Sequence, residues 1–299
     1  MLKVKVFGYR GKFNSTERVE QELVRQGCEL VNENPDLLIE LCGLFSDAQT
    51  FYKTCSNKPI RLYNLLDVMN RTPNFYDQAK LDYEEAEITT TISNVVKKDI
   101  QKKFQTNKDI HVIGFPIRDI QYSNYGCKGV PFCYVGRISD PNKRVGLIKP
   151  TLERLNFNHE MMVFVGSEKP PFGMWAENLS DPELSEMYNC ADFVFLPSQK
   201  EGLGLTAMET IIGGGHPLLC DDNPLVKELG LSAFSAAPHP VALGMLVNKI
   251  QKDYPKYRKI IDELRPKFQK QFSIEKVVKS MLELYNDYIK ENLNYEKKN

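Results

Sequence analysis

The sequence contains no Cys-x-x-Cys pair, and its four histidines lie far apart. A structural metal site, which needs close-spaced Cys and His ligands, is therefore not expected. No stretch approaches the roughly 18 apolar residues that a membrane-spanning helix requires. The opening MLKVKVFGYRGK alternates like a strand and lacks the apolar stretch of a signal peptide. Seven cysteines, at 28, 42, 55, 127, 133, 190 and 220, are odd in number and irregular in spacing, and several sit inside apolar runs. They read as reduced core thiols of a cytoplasmic protein, peripheral to a membrane at most. The 39 basic and 39 acidic side chains cancel, so no global field draws the chain onto nucleic acid or an anionic bilayer. A G-x-G-x-x-G fingerprint after the first strand and a Walker sequence are both missing, which excludes the commonest dinucleotide and P-loop chemistries.

What is present is a regular alternation. At 299 residues with 42% hydrophobic content, the chain is long enough for two domains, each with its own core. Short apolar runs alternate with segments of helical period, which predicts βα units and parallel sheets. The first half reads LKVKVFG, a helix through STERVEQELVRQG, DLLIELCG, a helix near DAQTFYKTC, PIRLYNLL, a polar and aromatic loop from Asn70 to Tyr83, AEITTTIS, and a helix NVVKKDIQKKF with a basic, solvated face. DIHVIGF follows, and the glycines and proline of QYSNYGCKGVP mark a linker. The expected domains are residues 1–125 and 126–273, with a final helix at 274–299 packing back on the first. In the second half PFCYVGRIS, MMVFVGS, ADFVFLPS, HPLLCDD and SAFSA are near-continuously apolar, as strands covered on both faces are. The glycines of GGGHP, between a helix and a strand, read as a helix cap.

Doubly wound sheets bind ligands at the carboxyl ends of their strands. Three loops meet that description: YVGRISDPNKRVG with Gly136, Arg137, Lys143 and Arg144; VGSEKP; and FLPSQKEGLGLTAME with Glu201, Gly202, Gly204 and Glu209. Arg and Lys there supply fixed positive charge suited to a diphosphate. A helix starting near Leu205 or Thr206 adds amide donors and the positive end of its dipole. The two acids bracket that helix start. Carboxylates beside an anion make sense where they accept hydrogen bonds from hydroxyls flanking it, a sugar on one side and a ribose on the other. The ligand so described is a nucleoside diphosphate sugar. A simpler reading remains for Glu209, a capping box with Thr206, and for Arg137, a surface ion pair.

Three stretches, FLPSQKEGLGLTAMETIIGGGHPLLCDDNPLVKELG, YVGRISDPNKRVGLI and WAENLSDPELSEMYNCADFVFLPS, together resemble the signature of the retaining GT-B glycosyltransferases of family 4 over roughly residues 88 to 232. Glu201 and Glu209 correspond to that family's Glu-x7-Glu motif. The resemblance implies an α/β GT-B fold, two Rossmann-like domains with parallel sheets facing across a cleft; the N-terminal domain here is compact, where family members usually have longer first domains. It implies Arg137, Lys143 and Glu201 as the catalytic residues, Arg137 and Lys143 neutralising the leaving diphosphate and Glu201 holding the transferred sugar. Donor binding would extend over Gly11 near the diphosphate, Gly136 beside Arg137, Asn178 and Leu179 at the base, and Gly202, Leu203, Gly204, Leu205 and Thr206 as the phosphate cradle, with Glu209 on the ribose. Arg144 is the alternative to Lys143. Position 206 is commonly proline in the family and is threonine here. The family's glycine-rich first loop and its sugar-side histidine have no counterpart in GYRGK, and Asp67 or Asn64 would lie on the acceptor side.

The activity implied is transfer of a hexose from a UDP- or GDP-linked donor to an acceptor hydroxyl, with retention and with neither metal nor other cofactor. The partners are the nucleotide sugar and an acceptor that the sequence leaves open: a glycan, a lipid-linked sugar, a protein or a modified nucleobase. A nucleotide-sugar 2-epimerase and a non-catalytic nucleotide-sugar-binding subunit are the alternatives.

Overall fold

A computed structural model of the chain describes residues 1–8, 15–41, 46–66, 73–122, 130–177 and 179–296. The chain divides into two compact units, Met1–Pro116 with Gln271–Asn299, and Ile117–Lys270. The division falls at Pro116/Ile117 rather than at 125/126. The reason is local: Ile117 and Ile120 are buried, and the Gln121 amide donates to Ser185 Oγ at 2.9 Å, so this segment packs with the second unit.

In the first unit, six strands, β1 (Lys3–Phe7), β2 (Glu29–Leu30), β3 (Leu37–Leu41), β4 (Ile60–Leu65), β5 (Ile88–Thr91) and β6 (His111–Val112), form a parallel sheet in the order β2-β1-β3-β4-β5-β6. Strand β3, LLIEL, is buried at every position, which explains its near-continuous apolar run. Helices α1 (Ser15–Arg25), α2 (Ser46–Thr54), α3 (Pro73–Glu85) and α4 (Asn94–Phe104) connect the strands. Helix α4 buries Val96, Ile100 and Phe104, as its 3.6-residue spacing predicts, and Ser93 Oγ caps it by accepting from the Val96 amide at 3.1 Å. Its lysines 98, 102 and 103 face solvent. The carboxyl-terminal helix Ile274–Glu296 sets Val277, Val278 and Met281 into the same core as Val4, Val6, Leu23 and Ile39.

The expected loop from Asn70 to Tyr83 is a helix from Pro73 onward. Its buried face is Ala79, Asp82 and Tyr83, an i, i+3, i+4 set whose one small, one acidic and one aromatic member hides the apolar period from the sequence. On β4, Asn64 is buried and donates from Nδ2 to Thr90 Oγ1 at 2.9 Å. Gly11 and Asp67 lie outside the described residues.

In the second unit, β7 (Val130–Val135), β8 (Val163–Val165), β9 (Met174–Ala176), β10 (Ala191–Leu196), β11 (His216–Cys220) and β12 (Ser235–Ala236) form a second parallel sheet in the order β12-β11-β10-β7-β8-β9. Five of these strands are legible in the sequence. The sixth, β9, is a three-residue edge strand with Met174 and Trp175 exposed, too short to show a period. Helices α5 (Ile148–Arg154), α6 (Asp181–Cys190), α7 (Leu205–Ile212), α8 (Leu225–Glu228), α9 (Pro240–Lys252) and α10 (Tyr254–Gln271) complete the unit. Strand order reverses between β7 and β10, the place where doubly wound sheets bind their ligands. Glycines 213 to 215 end α7, and a Cβ on Gly213 would lie 2.5 Å from that of Tyr188, so α6 and α7 need the glycine to approach.

Cys28, Cys55, Cys133, Cys190 and Cys220 form no disulfide, and burial pushes the Cys133 thiol up to about 12. Cys42 and Cys127 lie outside the described residues. Among the described residues, no helix is long and apolar enough to cross a membrane, and no group of three or more His, Cys, Asp or Glu could hold a metal ion.

Candidate functional site

The loops that leave β7 and β10 converge at the switch point of the second sheet. Asp140 Oδ1 accepts from the Asn142 amide at 3.0 Å and starts a single turn over Pro141–Lys143. Asn142 then binds the other loop from three of its atoms: Nδ2 donates to the Lys200 carbonyl at 2.7 Å, Oδ1 accepts from the Lys200 amide at 3.0 Å, and its carbonyl accepts from the Gln199 amide at 2.9 Å. This staple brings Lys143 Nζ to 2.5 Å from Glu201 Oε1, with both side chains about a quarter exposed. Replacing Asn142 with Ala is expected to speed hydrogen exchange at the Lys200 amide at least tenfold and to lower stability by only ~1–2 kcal/mol, the scale of the two lost side-chain hydrogen bonds. An unchanged Lys200 exchange rate would remove Asn142 from this role.

After Glu201 the chain runs through Gly202 and the buried Leu203 to Gly204, which is left-handed at φ 71° and forms the N-cap of α7. Glycine takes that conformation without strain and offers no side chain to the helix end. The first amides of α7, at Leu205 and Thr206, are those a helix leaves without an internal partner. Tyr134, Lys143, Ser198, Glu201, Thr206 and Asn223 line a pocket there. Its chemistry is one cation, one carboxylate, a helix start and several hydroxyl and amide groups. Burial, followed by the nearby charge of Glu201, pushes the Tyr134 phenol up, so it stays a neutral donor, and its hydroxyl donates a hydrogen bond to the Arg137 carbonyl at 2.6 Å.

The other cations stand apart from this pocket. Arg137 is 70% exposed and pairs with Asp140 at 3.0 Å. Arg144 is bidentate to Asp222 at 2.7 and 2.9 Å. Gly136, at φ 148°, precedes Arg137, and Glu168 from the loop after β8 holds the next turn by accepting from the Ile138 and Ser139 amides, each at 2.7 Å. Those bonds keep the Glu168 carboxyl below its ordinary range. Leu179 is half-buried just before α6, and Asn178 lies outside the described residues.

The second acid is placed differently from the first. Helix α7 begins at Leu205, so its third residue is Ala207, and the capping box of Thr206 with Glu209 does not form. Glu209 lies two residues further on and is 1% exposed. Its carboxylate accepts from Arg118 Nη1 at 3.0 and 3.2 Å and from the Tyr188 hydroxyl at 2.9 Å. Each acid of the motif thus has its own cation from a distant segment, Lys143 for Glu201 and Arg118 for Glu209. Burial, then the Glu209 charge, pushes the Tyr188 phenol well up and keeps it a donor. Arg118, Tyr188, Asn142, Tyr134 and Asn223 were not legible as site residues, because their partners come from elements that only the fold brings together.

By sequence, the chain matches no protein-family model and no curated protein. By structure, it is similar over nearly its whole length to solved proteins. HepE of Anabaena, solved in complex with UDP and glucose, superposes with a TM-score of 0.73 at 11% identity, over 96% of this chain and 99% of that one. Sucrose-phosphate synthase of Thermosynechococcus elongatus gives 0.75 at 11% identity, over 97% and 99%. WaaG, a glycosyltransferase involved in lipopolysaccharide biosynthesis, gives 0.65 at 13% identity, over 95% and 99%. The likeness is one of fold, and the fold is GT-B, with two Rossmann-like units.

Proposed function

We propose that the protein is a glycosyltransferase that moves a hexose from a UDP- or GDP-linked donor to an acceptor hydroxyl, with retention and without a metal. The observation that carries this reading is the pairing of Lys143 with Glu201 at the switch point, beside a glycine-capped helix start. The fold shared with HepE, which was solved with UDP and glucose, agrees with it. In this reading the donor diphosphate lies over the amides of Leu205 and Thr206, and Lys143 leaves Glu201 to meet it. Glu201 then accepts hydrogen bonds from hydroxyls of the transferred sugar. With Arg137 held at the surface by Asp140, the cationic role rests on Lys143.

The reaction breaks the bond from the anomeric carbon to the phosphate oxygen and forms one from that carbon to the acceptor oxygen. The acceptor's proton passes to the departing phosphate oxygen on the same face, so no side-chain base is needed. About one negative charge develops on the diphosphate, and a preorganised cation with helix amides stabilises it.

Incubation with UDP-glucose, UDP-N-acetylglucosamine and GDP-mannose is expected to give slow release of free sugar and nucleotide from one of them. An altered sugar still attached to its nucleotide would make the protein an epimerase. Binding without turnover in the presence of added glycan, lipid-linked and peptide acceptors would make it a binding subunit.

A further inference from the structure

Glu209 is nearly closed to solvent, yet it lies on the same face of α7 as Thr206, one turn from the pocket. An ionised carboxylate offers about four lone-pair sites. Three contacts already end on this one, two from Arg118 Nη1 and one from the Tyr188 hydroxyl. About one acceptor site therefore remains on the carboxylate.

Arg118 is itself fixed from several directions. Its Nε pairs with Asp181 Oδ1 at 3.0 Å, at the first turn of α6 and two positions after Leu179. Its carbonyl accepts from the Ile120 amide at 2.9 Å, and Ile117 and Ile120 anchor the backbone on either side. One guanidinium therefore ties the start of α6, where a base is expected, to the acid where a ribose is expected. A buried ion pair of this kind is weak as a device for stability, since desolvation offsets most of its Coulomb energy. It is strong as a device for orientation, because the planar guanidinium, held through Nε by Asp181, fixes where Nη1 meets the two oxygens of the Glu209 carboxylate.

We propose that Arg118 is a positioning residue that, with Tyr188, leaves Glu209 one acceptor direction, so that the nucleoside side of the site reads one ribose hydroxyl and not the diol. This rests on the nucleotide-sugar reading above. Arg118 acts through Glu209 and need not touch the donor.

The test is calorimetric titration of the full chain with UDP and GDP, and then with the 2′-deoxy and 3′-deoxy forms of the tighter of the two. The wild type is expected to lose roughly ten- to hundredfold in affinity for one deoxy form, the scale of a single hydrogen bond to a charged group, and less than threefold for the other. In Arg118→Ala that discrimination is expected to fall to near one, with an intermediate ratio in Arg118→Lys, which keeps the charge and drops the fork. A merely structural loss would weaken all three ligands alike and leave the ratio intact, and that result overturns the proposal. So does a wild type that loses equally for both deoxy forms, or for neither. If Arg118→Ala does not fold, Arg118→Lys decides by the same ratio. A wild type that binds neither UDP nor GDP sinks the nucleotide-sugar reading itself, an outcome distinct from all the others.

Discussion

Replacing Lys143 with Ala is expected to lower turnover of the preferred nucleotide sugar by about 10²- to 10³-fold, with little loss of stability. The size follows from its place. Lys143 is the one cation that lines the described pocket at the α7 start, and removing a single preorganised donor at a developing anion elsewhere costs ~3–4 kcal/mol of transition-state stabilisation. Stability should hold because its pairing with Glu201 is partly exposed, at 21% and 26%, and such pairs contribute roughly 0–1 kcal/mol. Arg144→Ala is the control, since its bidentate grip on Asp222 keeps it from the pocket, and it should change turnover less than threefold. Steady-state rates and thermal melts on the same preparations decide the matter. Unchanged turnover in Lys143→Ala would sink the assignment of the leaving group's counter-charge, and a large effect in Arg144→Ala would move that role by one residue.

Lys143 and Glu201 were legible because short-range chemistry marks them. Each follows a near-continuously apolar strand, and each loop carries residues with no packing reason to be there. The strands were legible because burial on both faces leaves runs such as ADFVFL with no polar alternation. What the sequence hid depends on tertiary pairing. Arg118 and Glu209 are 91 positions apart, and Asn142 and the Lys200 that it staples are 58 apart, so no local pattern couples them. The capping box misled for a different reason. Thr206 and Glu209 have the right spacing, but Gly204 takes the left-handed conformation and starts the helix at Leu205, which moves both residues out of register. Helix α3 was hidden because its inward face mixes an acid with an aromatic, and that acid has a partner on β4 that only the folded sheet supplies.

That partner, Arg61, is the site of the second large expected effect: Arg61→Met should destabilise the first unit by ~3–5 kcal/mol at pH 7, the range for a buried pair that loses one member. Arg61 has no exposed surface, and its guanidinium reaches Glu40 at 2.8 Å, Asp82 at 3.3 Å and Glu85 at 2.9 Å. Of these acids Glu40 and Asp82 are buried, while Glu85 is nearly half exposed. Burial already raises both the Glu40 and the Asp82 carboxyls above their ordinary values, and hydrogen bonding and charge from Arg61 oppose that rise. Without the guanidinium they rise further. An acid whose folded pKa exceeds its unfolded value binds protons more readily when folded, so stability falls as pH rises through the window between the two values and is recovered on acidification. The deficit of Arg61→Met should therefore shrink between pH 7 and pH 5 in urea unfolding followed by circular dichroism. Adding Glu40→Gln should recover part of it at pH 7, because one buried charge is then removed with its shape kept. A deficit under ~1 kcal/mol, or one that stays constant over this pH range, would mean that Glu40 and Asp82 do not depend on Arg61 to remain ionised in the folded core.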